Sequence, residues 1–455
     1  MTRRSSTVLA CAASVLAVGL SPSGPARAQL LGGVGDVLRE TPLGPPTAPL
    51  GGSPVLGGTS GNVDDLVSGL DHLHVTDTLD APTLSQIRRQ RLRALVEANR
   101  RVLEMDRSGN PVRRGEIIVL DPTPEQLMAA GRAGFAVIRR ETVDSAGVAV
   151  AVLTPPRGRD AVKGLAALQA LLPGVDAELN PVFEPAGGGD PRGALAARGQ
   201  ATAPAAHRRG PPIGMIDGGV AAHRSLAGAA IEQRGFAPGG PRASGHGTAI
   251  ASLIVGDDGP FHGAAPGRTL LVADVYGGQP AAGSAEAIAL GLSWLAGRGA
   301  RVITISLVGP PDRLLERSIA GVRARGVLVV AAVGNDGPAA PPQYPAAYPG
   351  VVAVTGVDAH DRPLLEAGRA AHLDFAAPGA DMAAASLAGG YVAVRGTSFA
   401  APLVAARLAL APGDAAEALR AVAAEARPAR GLVGRGVVCG YCRVTPRSVG
   451  ARTAS

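Results

Sequence analysis

Three short segments carry side chains that together could run acyl transfer: Ile216-Asp217-Gly218, Gly245-His246-Gly247-Thr248 and Gly396-Thr397-Ser398-Phe399-Ala400-Ala401-Pro402. A serine hydroxyl is a poor nucleophile at neutral pH. It needs an imidazole to take its proton and a buried carboxylate to orient that imidazole. An apolar run leads into Asp217, while His246 and Ser398 each open an apolar helical run. Taken singly, none of the three is informative. An Asp-Gly-Gly after a strand is ordinarily a turn, a loop histidine is ordinarily a surface residue, and Gly-Thr-Ser ordinarily starts a helix. The information lies in their joint occurrence in the order Asp, His, Ser, one of the few orders in which this constellation is found.

With these flanking residues, the order resembles that of the subtilases, the subtilisin-like serine peptidases, over roughly residues 211 to 440. His246-Gly247-Thr248 is similar to the family's histidine segment, and Gly396-Thr397-Ser398 with Ala401-Pro402 to its serine segment. Ala331-Ala332-Val333-Gly334-Asn335-Asp336-Gly337 resembles the segment that carries the oxyanion-hole asparagine. The aspartate segment departs from the family pattern: Gly219 stands where Ser or Thr is usual, which removes at most one local hydrogen bond to the carboxylate.

The resemblance implies a secreted serine endopeptidase. Ser398 Oγ attacks a peptide carbonyl, His246 serves as general base and then general acid, and Asp217 orients His246. Asn335 and the backbone N–H of Ser398, at a helix N-terminus, meet the oxyanion. An extended substrate adds as a strand to Ser306-Leu307-Val308-Gly309-Pro310. Ala332, Val333 and Gly334 form one wall of the first specificity pocket, with its floor near Gln343-Tyr344-Pro345. A polar Gln343 there argues against a large aromatic side chain. No cofactor is expected. Many subtilases bind calcium after the histidine helix, but Gly256-Asp257-Asp258-Gly259-Pro260 is too short for that loop and reads as a turn.

Two rival readings are weaker. A subtilase-like binding scaffold that has lost catalysis would not need Asp217, His246, Ser398 and Asn335 all retained. An esterase of α/β-hydrolase type needs G-x-S-x-G, and Ala400 stands where the second glycine belongs, with the partner order also wrong.

From Ile213 onward, apolar strands alternate with helical runs. Strands are expected at Ile213–Ile216, Leu270–Val275, Val302–Leu307, Val327–Val333 and Val351–Val357, and helices at 246–255, 284–297, 311–325 and 397–409. Apolar strands without alternation, joined by helices, make an α/β domain with a doubly wound, mostly parallel sheet. Its site lies at the carboxyl ends of the strands, where Asp217, His246, Asn335 and Ser398 all fall.

Upstream, Glu116–Leu120, Pro124–Ala133, Phe135–Thr142, Val148–Thr154, Asp160–Leu172 and Asp176–Val182 read as β-α-β-β-α-β, the ferredoxin-like split. Before them Thr83 and Gln86 suggest a capping box opening a basic helix from Leu84 to Met105, with a solvated face and one buried stripe. By the same resemblance, residues 83–183 form an α+β prodomain that caps the active site, making the chain a zymogen. Residues 184–210 are then the processing linker, 211–445 the catalytic domain and 446–455 a flexible tail.

Composition narrows the rest. Of 455 residues, 46% are hydrophobic and 3% aromatic, so packing relies on Val, Leu, Ile and Ala. The net charge is +7, yet Lys163 is the only lysine and the arginines are dispersed, so no nucleic-acid partner is expected. Residues 1–28 read as a secretory signal: Arg3 and Arg4, an apolar core from Val8 to Leu20, and Ala26-Arg27-Ala28 for cleavage. That core is too short to span a bilayer. Residues 29–82 read as a flexible Gly/Pro-rich lead-in. The expected partners are protein or peptide substrates and the chain's own prodomain, for a monomer in a periplasm or outside the cell. Cys11 leaves with the signal, and the Cys439–Cys442 pair fits a small structural disulfide better than a redox pair.

Overall fold

The computed structural model describes residues 81–186, 210–370 and 372–452. The expected signal at 1–28, nearly all of the lead-in and most of the processing linker lie outside the described residues.

Helix α1 runs Ala81–Ala98, starting two residues ahead of the expected capping box and stopping well short of Met105. The Asn99 side chain and backbone N–H both bond Leu95 O, which closes the last turn. Leu103–Met105 is instead a strand, β1, paired antiparallel with the start of β2 (Pro111–Leu120). Leu103 leaves the helical run and joins Val182 and Ala281 in an apolar cluster against which Leu95 and Val96 of α1 pack.

α2 (Pro124–Arg132), β3 (Ala136–Val143), β4 (Val148–Thr154), α3 (Ala161–Leu171) and β5 (Ala177–Pro181) complete the expected ferredoxin-like order. Thr123 and Gln126 form a reciprocal capping box on α2. The antiparallel sheet runs β3-β4-β2-β5. Its core strand Ile117-Ile118-Val119-Leu120 is apolar at every position because both faces are covered. Ile117 and Val119 face α2 and α3, while Ile118 and Leu120 pack with Ala289 and Leu314 of the following domain. The same interface is polar at its rim. Arg139 bridges Glu116 at 2.9 Å and Glu286 at 2.6 Å. Glu178 accepts the N–H groups of Arg313 and Leu314 at 3.0 Å each, supplying acceptors to a helix N-terminus.

The larger domain follows β6 (Glu184–Pro185) and consists of β7 (Ile213–Asp217), β8 (Ala230–Gly235), α4 (Gly245–Val255), β9 (Asp257–Asp258), β10 (Phe261–His262), β11 (Thr269–Asp274), α5 (Ala285–Gly297), β12 (Val302–Ile305), β13 (Leu307–Val308), α6 (Arg313–Ala324), β14 (Leu328–Ala332), β15 (Val352–Val357), β16 (Phe375–Pro378), β17 (Met382–Ala385), β18 (Tyr391–Val394), α7 (Thr397–Leu410) and α8 (Ala415–Glu425). Seven strands form one sheet in the order β16-β15-β14-β12-β7-β11-β8, with every pairing parallel. Helices α4 and α7 cover one face, and α5 and α6 the other. This is the expected doubly wound sheet.

Three features depart from expectation. The edge strands β8 and β16 carry no local strand pattern: β8 runs through Glu232-Gln233-Arg234, and β16 ends on Pro378, which only an edge tolerates. The expected strand Val302–Leu307 breaks at Ser306, and β13 leaves the main sheet to pair with β6. Residues 446–452 continue against the domain rather than leaving it, with Arg452 bonded both ways to β18. Cys439 and Cys442 are joined in a disulfide.

Candidate active site

β7 delivers Asp217 at its carboxyl end, and α4 delivers His246 in its first turn. The Ser244 hydroxyl caps α4 by accepting the Gly247 N–H at 2.9 Å. His246 Nδ1 lies 2.9 and 2.8 Å from the two Asp217 carboxylate oxygens. An ionised carboxylate only accepts, so Nδ1 carries the proton and Nε2 is left as the basic nitrogen. Asp217 and His246 are both buried, so water competes little for this bond.

The glycines around the pair are what allow the approach. A Cβ on Gly219 would collide with the Arg242 carbonyl, and one on Gly247 with the Gly218 carbonyl. Gly219 donates to Arg242 O at 3.0 Å and accepts from Ser244 N at 2.8 Å, so it ties the two turns together. A third residue organises the same place. Asp274 accepts the N–H groups of Arg242, Tyr276 and Gly277 at 2.7, 2.8 and 2.9 Å. Burial raises its pKa above the usual carboxylate value, with a further push from the Asp217 charge, against the pull of those three donors. Sequence reading passed over Asp274. Its only mark is its place at the end of an apolar strand, one lattice step from Asp217 in the β7–β11 register.

Ser398 lies in the first turn of α7, entered through Gly396 at φ 138°. Its hydroxyl donates to Ser306 O at 3.2 Å, and the Ser306 hydroxyl donates to Ser398 O at 2.9 Å. The His246 ring stands 5.6 Å from that of Phe399, the next residue. Asn335 Oδ1 accepts the Thr397 N–H at 3.0 Å, and Thr397 Oγ1 accepts the Gly334 N–H at 3.2 Å. This pins the Asn335 amide with its NH₂ group turned away from Thr397. Two buried polar atoms here, His246 Nε2 and Asn335 Nδ2, have no hydrogen-bond partner among the described residues.

The cleft is occupied by the chain itself. β6 pairs antiparallel with β13, Pro185 opposite Leu307 and Glu184 opposite Val308. Phe183 N donates to Gly283 O at 2.7 Å, and the Tyr276 hydroxyl donates to Phe183 O at 2.8 Å. At the other end Ala186 N donates to Ser306 O at 2.9 Å, the same carbonyl that takes the Ser398 hydroxyl. Ala186 therefore lies beside Ser398. Phe183 is fully buried against Gly309, which pairs with Tyr344 on its other side.

Of the expected pocket residues, Ala332 shares an apolar cluster with Ala186 and Val308. The Cβ position of Gly334 looks onto Gln343 Cγ at 3.1 Å and Val308 at 3.4 Å. Val333 does not join them. Strand alternation turns it into the opposite cluster with Ile305 and Leu307. The Asp257–Asp258 turn offers little to a calcium ion, because the Asp258 carboxylate is taken by Arg224 at 2.8 Å and the Tyr391 hydroxyl at 2.6 Å. Among the described residues no helix is long and apolar enough to cross a membrane.

Residues 209–426 match the model of the Subtilase family. The chain is 36% identical over 222 residues to Subtilisin Savinase of Lederbergia lenta, covering 46% of this chain and 80% of that protein. It is likewise 36% identical over 222 residues to an alkaline protease of Alkalihalobacillus alcalophilus, covering 46% of this chain and 57% of that one. Among solved structures, fervidolysin from Fervidobacterium pennivorans, described as a keratinolytic enzyme related to subtilisin, is similar in fold. Its TM-score is 0.59 at 18% identity, over 77% of this chain and 63% of that chain.

Proposed function

The chain belongs to the subtilase family and is a subtilisin-like serine endopeptidase, and from that premise we propose that Asp217, His246 and Ser398 are its catalytic triad and Asn335 an oxyanion donor. Ser398 Oγ attacks the carbonyl carbon of a peptide bond as its proton passes to His246 Nε2. Asp217 holds the imidazolium that results. The tetrahedral oxyanion is met by Asn335 Nδ2 and the Ser398 N–H, the latter at the positive end of α7. His246 then protonates the departing amine, and water releases the acyl group by the same steps in reverse.

One arrangement supports this reading above all. A buried polar atom without a partner costs about 1–3 kcal/mol, and the fold tolerates two of them beside the residues that flank Ser398: Nδ2 of Asn335, which is bonded to Thr397, and Nε2 of His246, whose ring faces Phe399. In the reaction Nε2 takes the Ser398 proton and Nδ2 donates to the oxyanion. The intact set also argues against an inactive scaffold.

We extend the proposal to maturation: the protein is exported through residues 1–28, and residues up to 186 act as a prodomain that the enzyme removes itself. Cleavage belongs in the processing linker at 184–210, and the pairing of β6 with β13 favours the bond after Ala186. That carbonyl is held beside Ser398 by the Ala186 N–H bond to Ser306 O, so the tail is its own first substrate at very high effective concentration. The test is to express the wild-type and Ser398→Ala chains without other proteases and compare masses and N-termini. The wild type should begin at Gly187, while Ser398→Ala should persist as a folded precursor. Equal masses would refute self-processing and leave the upstream unit as a permanent accessory domain.

A further inference from the structure

We infer that helix α1 is a second inhibitory element, a clasp on the rim of the cleft that keeps the tail seated after it has been cut; this rests on reading residues 81–186 as a self-removed prodomain. After cleavage the tail remains part of a unit seated on the catalytic domain through Ile118, Leu120, Arg139 and Glu178, away from the cleft. α1 adds a contact at the cleft rim itself.

Leu84, Arg88 and Arg91 are spaced four and three apart, so they share one helix face. That face meets Asp336 and Gly337, the two residues that follow Asn335. Arg88 Nε lies 2.9 Å from one Asp336 carboxylate oxygen and an Arg91 nitrogen 3.0 Å from the other. Arg91 also reaches the Glu184 carboxylate at 3.3 Å, two residues before Ala186. One guanidinium therefore links the tail to the loop that carries Asn335. Leu84 is buried against Gly337, where a Cβ would stand 2.8 Å from the leucine Cδ1. Burial works against the Arg91 charge, but the Glu184 and Asp336 carboxylates outweigh it and hold its pKa above the ordinary guanidinium value.

α1 rests on the upstream unit through its last turns, where Leu95 and Val96 pack on Leu103 and Val182, while the core between the ferredoxin-like sheet and its two helices contains no described α1 residue. The face bearing Leu84, Arg88 and Arg91 is the part that meets the catalytic domain. In addition, Asp336 is 5% exposed with the two arginines over it, and lifting α1 away removes both of these ion pairs. The rim at Asp336 and Gly337 is thus a docking surface for a helix bearing one leucine and two arginines, and α1 is its occupant.

The experiment uses the full chain with Arg88→Gln and Arg91→Gln. Both changes lie upstream of Ala186, so the mature enzyme is the same polypeptide and its final kcat/KM cannot differ. Cleavage, followed by mass, should proceed as in the wild type. Hydrolysis of an added peptide should appear with a lag shortened about 10- to 100-fold, in keeping with the loss of two charge-assisted contacts. An unchanged lag with normal cleavage would overturn the clasp. If the wild type does not cut itself, the maturation reading fails, and a second measurement still judges α1. In the uncut Ser398→Ala chain, the two Gln substitutions should strip hydrogen-exchange protection from residues 81–98 and from the loop at 334–337. Protection retained in both would overturn the docking itself. Should the Gln pair fail to fold, Arg88→Lys with Arg91→Lys retains the charge but not the fork that bridges two carboxylates, and should shorten the lag part of the way.

Discussion

Gly309→Ala should change which substrates this enzyme accepts. Phe183 is fully buried and lies over Gly309, and a Cβ built there stands 2.7 Å from the ring Cδ1 and 2.8 Å from Cε1 and Cγ. Ordinary carbon contacts begin near 3.4 Å, so three ring atoms overlap by roughly 0.6 to 0.7 Å at once. Gly309 is not among the residues with positive φ, so alanine fits the backbone and the effect falls on the ligand. Forcing a methyl group into a filled pocket costs about 1–3 kcal/mol. At about 1.4 kcal/mol per tenfold, that is about 5- to 150-fold in kcat/KM for a peptide carrying Phe at the Phe183 position. The variant should be matured with Phe183→Ala in its own prodomain, so that self-cleavage is not blocked by the same overlap. Two fluorogenic peptides ending in Phe-Glu-Pro-Ala and Ala-Glu-Pro-Ala then read the ratio directly. The Ala peptide should be hydrolysed nearly as well as before, while the Phe peptide falls by the stated factor. An unchanged ratio would mean that substrates do not follow the path of residues 183–186. Equal losses for both would mean that the substitution had disturbed the Gly309–Tyr344 pairing rather than a side-chain pocket.

Asn335→Ala should lower kcat by about 10²–10³ with little change in KM, a magnitude carried over from subtilisin itself, because its free N–H group meets charge present mainly in the transition state. A raised KM with kcat intact would make Asn335 a substrate-binding residue instead. His246→Ala should lose fluorophosphonate labelling of Ser398, since the unpartnered Nε2 is the base we assign to that hydroxyl; turnover should fall on the order of 10⁶, again as in subtilisin. Normal labelling of a folded variant would point to a different base.

Much of this protein was legible from the chain alone. The segments around Asp217, His246, Ser398 and Asn335 are readable because their local steric demands are severe. Gly219 and Gly247 must admit carbonyls where a side chain would sit, and apolar strands covered on both faces leave no room for alternation. The ferredoxin-like order was readable for the same reason, since each element carries its own period and caps. What remained hidden depends on partners far away along the chain. Nothing local marks Ala230–Gly235 or Phe375–Pro378 as strands, because an edge needs a pairing neighbour more than an apolar pattern. Asp274 acquires its role only when three N–H groups are folded onto it. The linker residues Glu184–Ala186 read as loop, and become a strand because β13 leaves the main sheet to receive them. Leu84, Arg88 and Arg91 read as one stripe of a basic helix, but only the fold brings Asp336 beneath it. Local sterics and periodicity are written residue by residue, whereas a pairing between distant segments is decided by which surfaces the folded chain brings together.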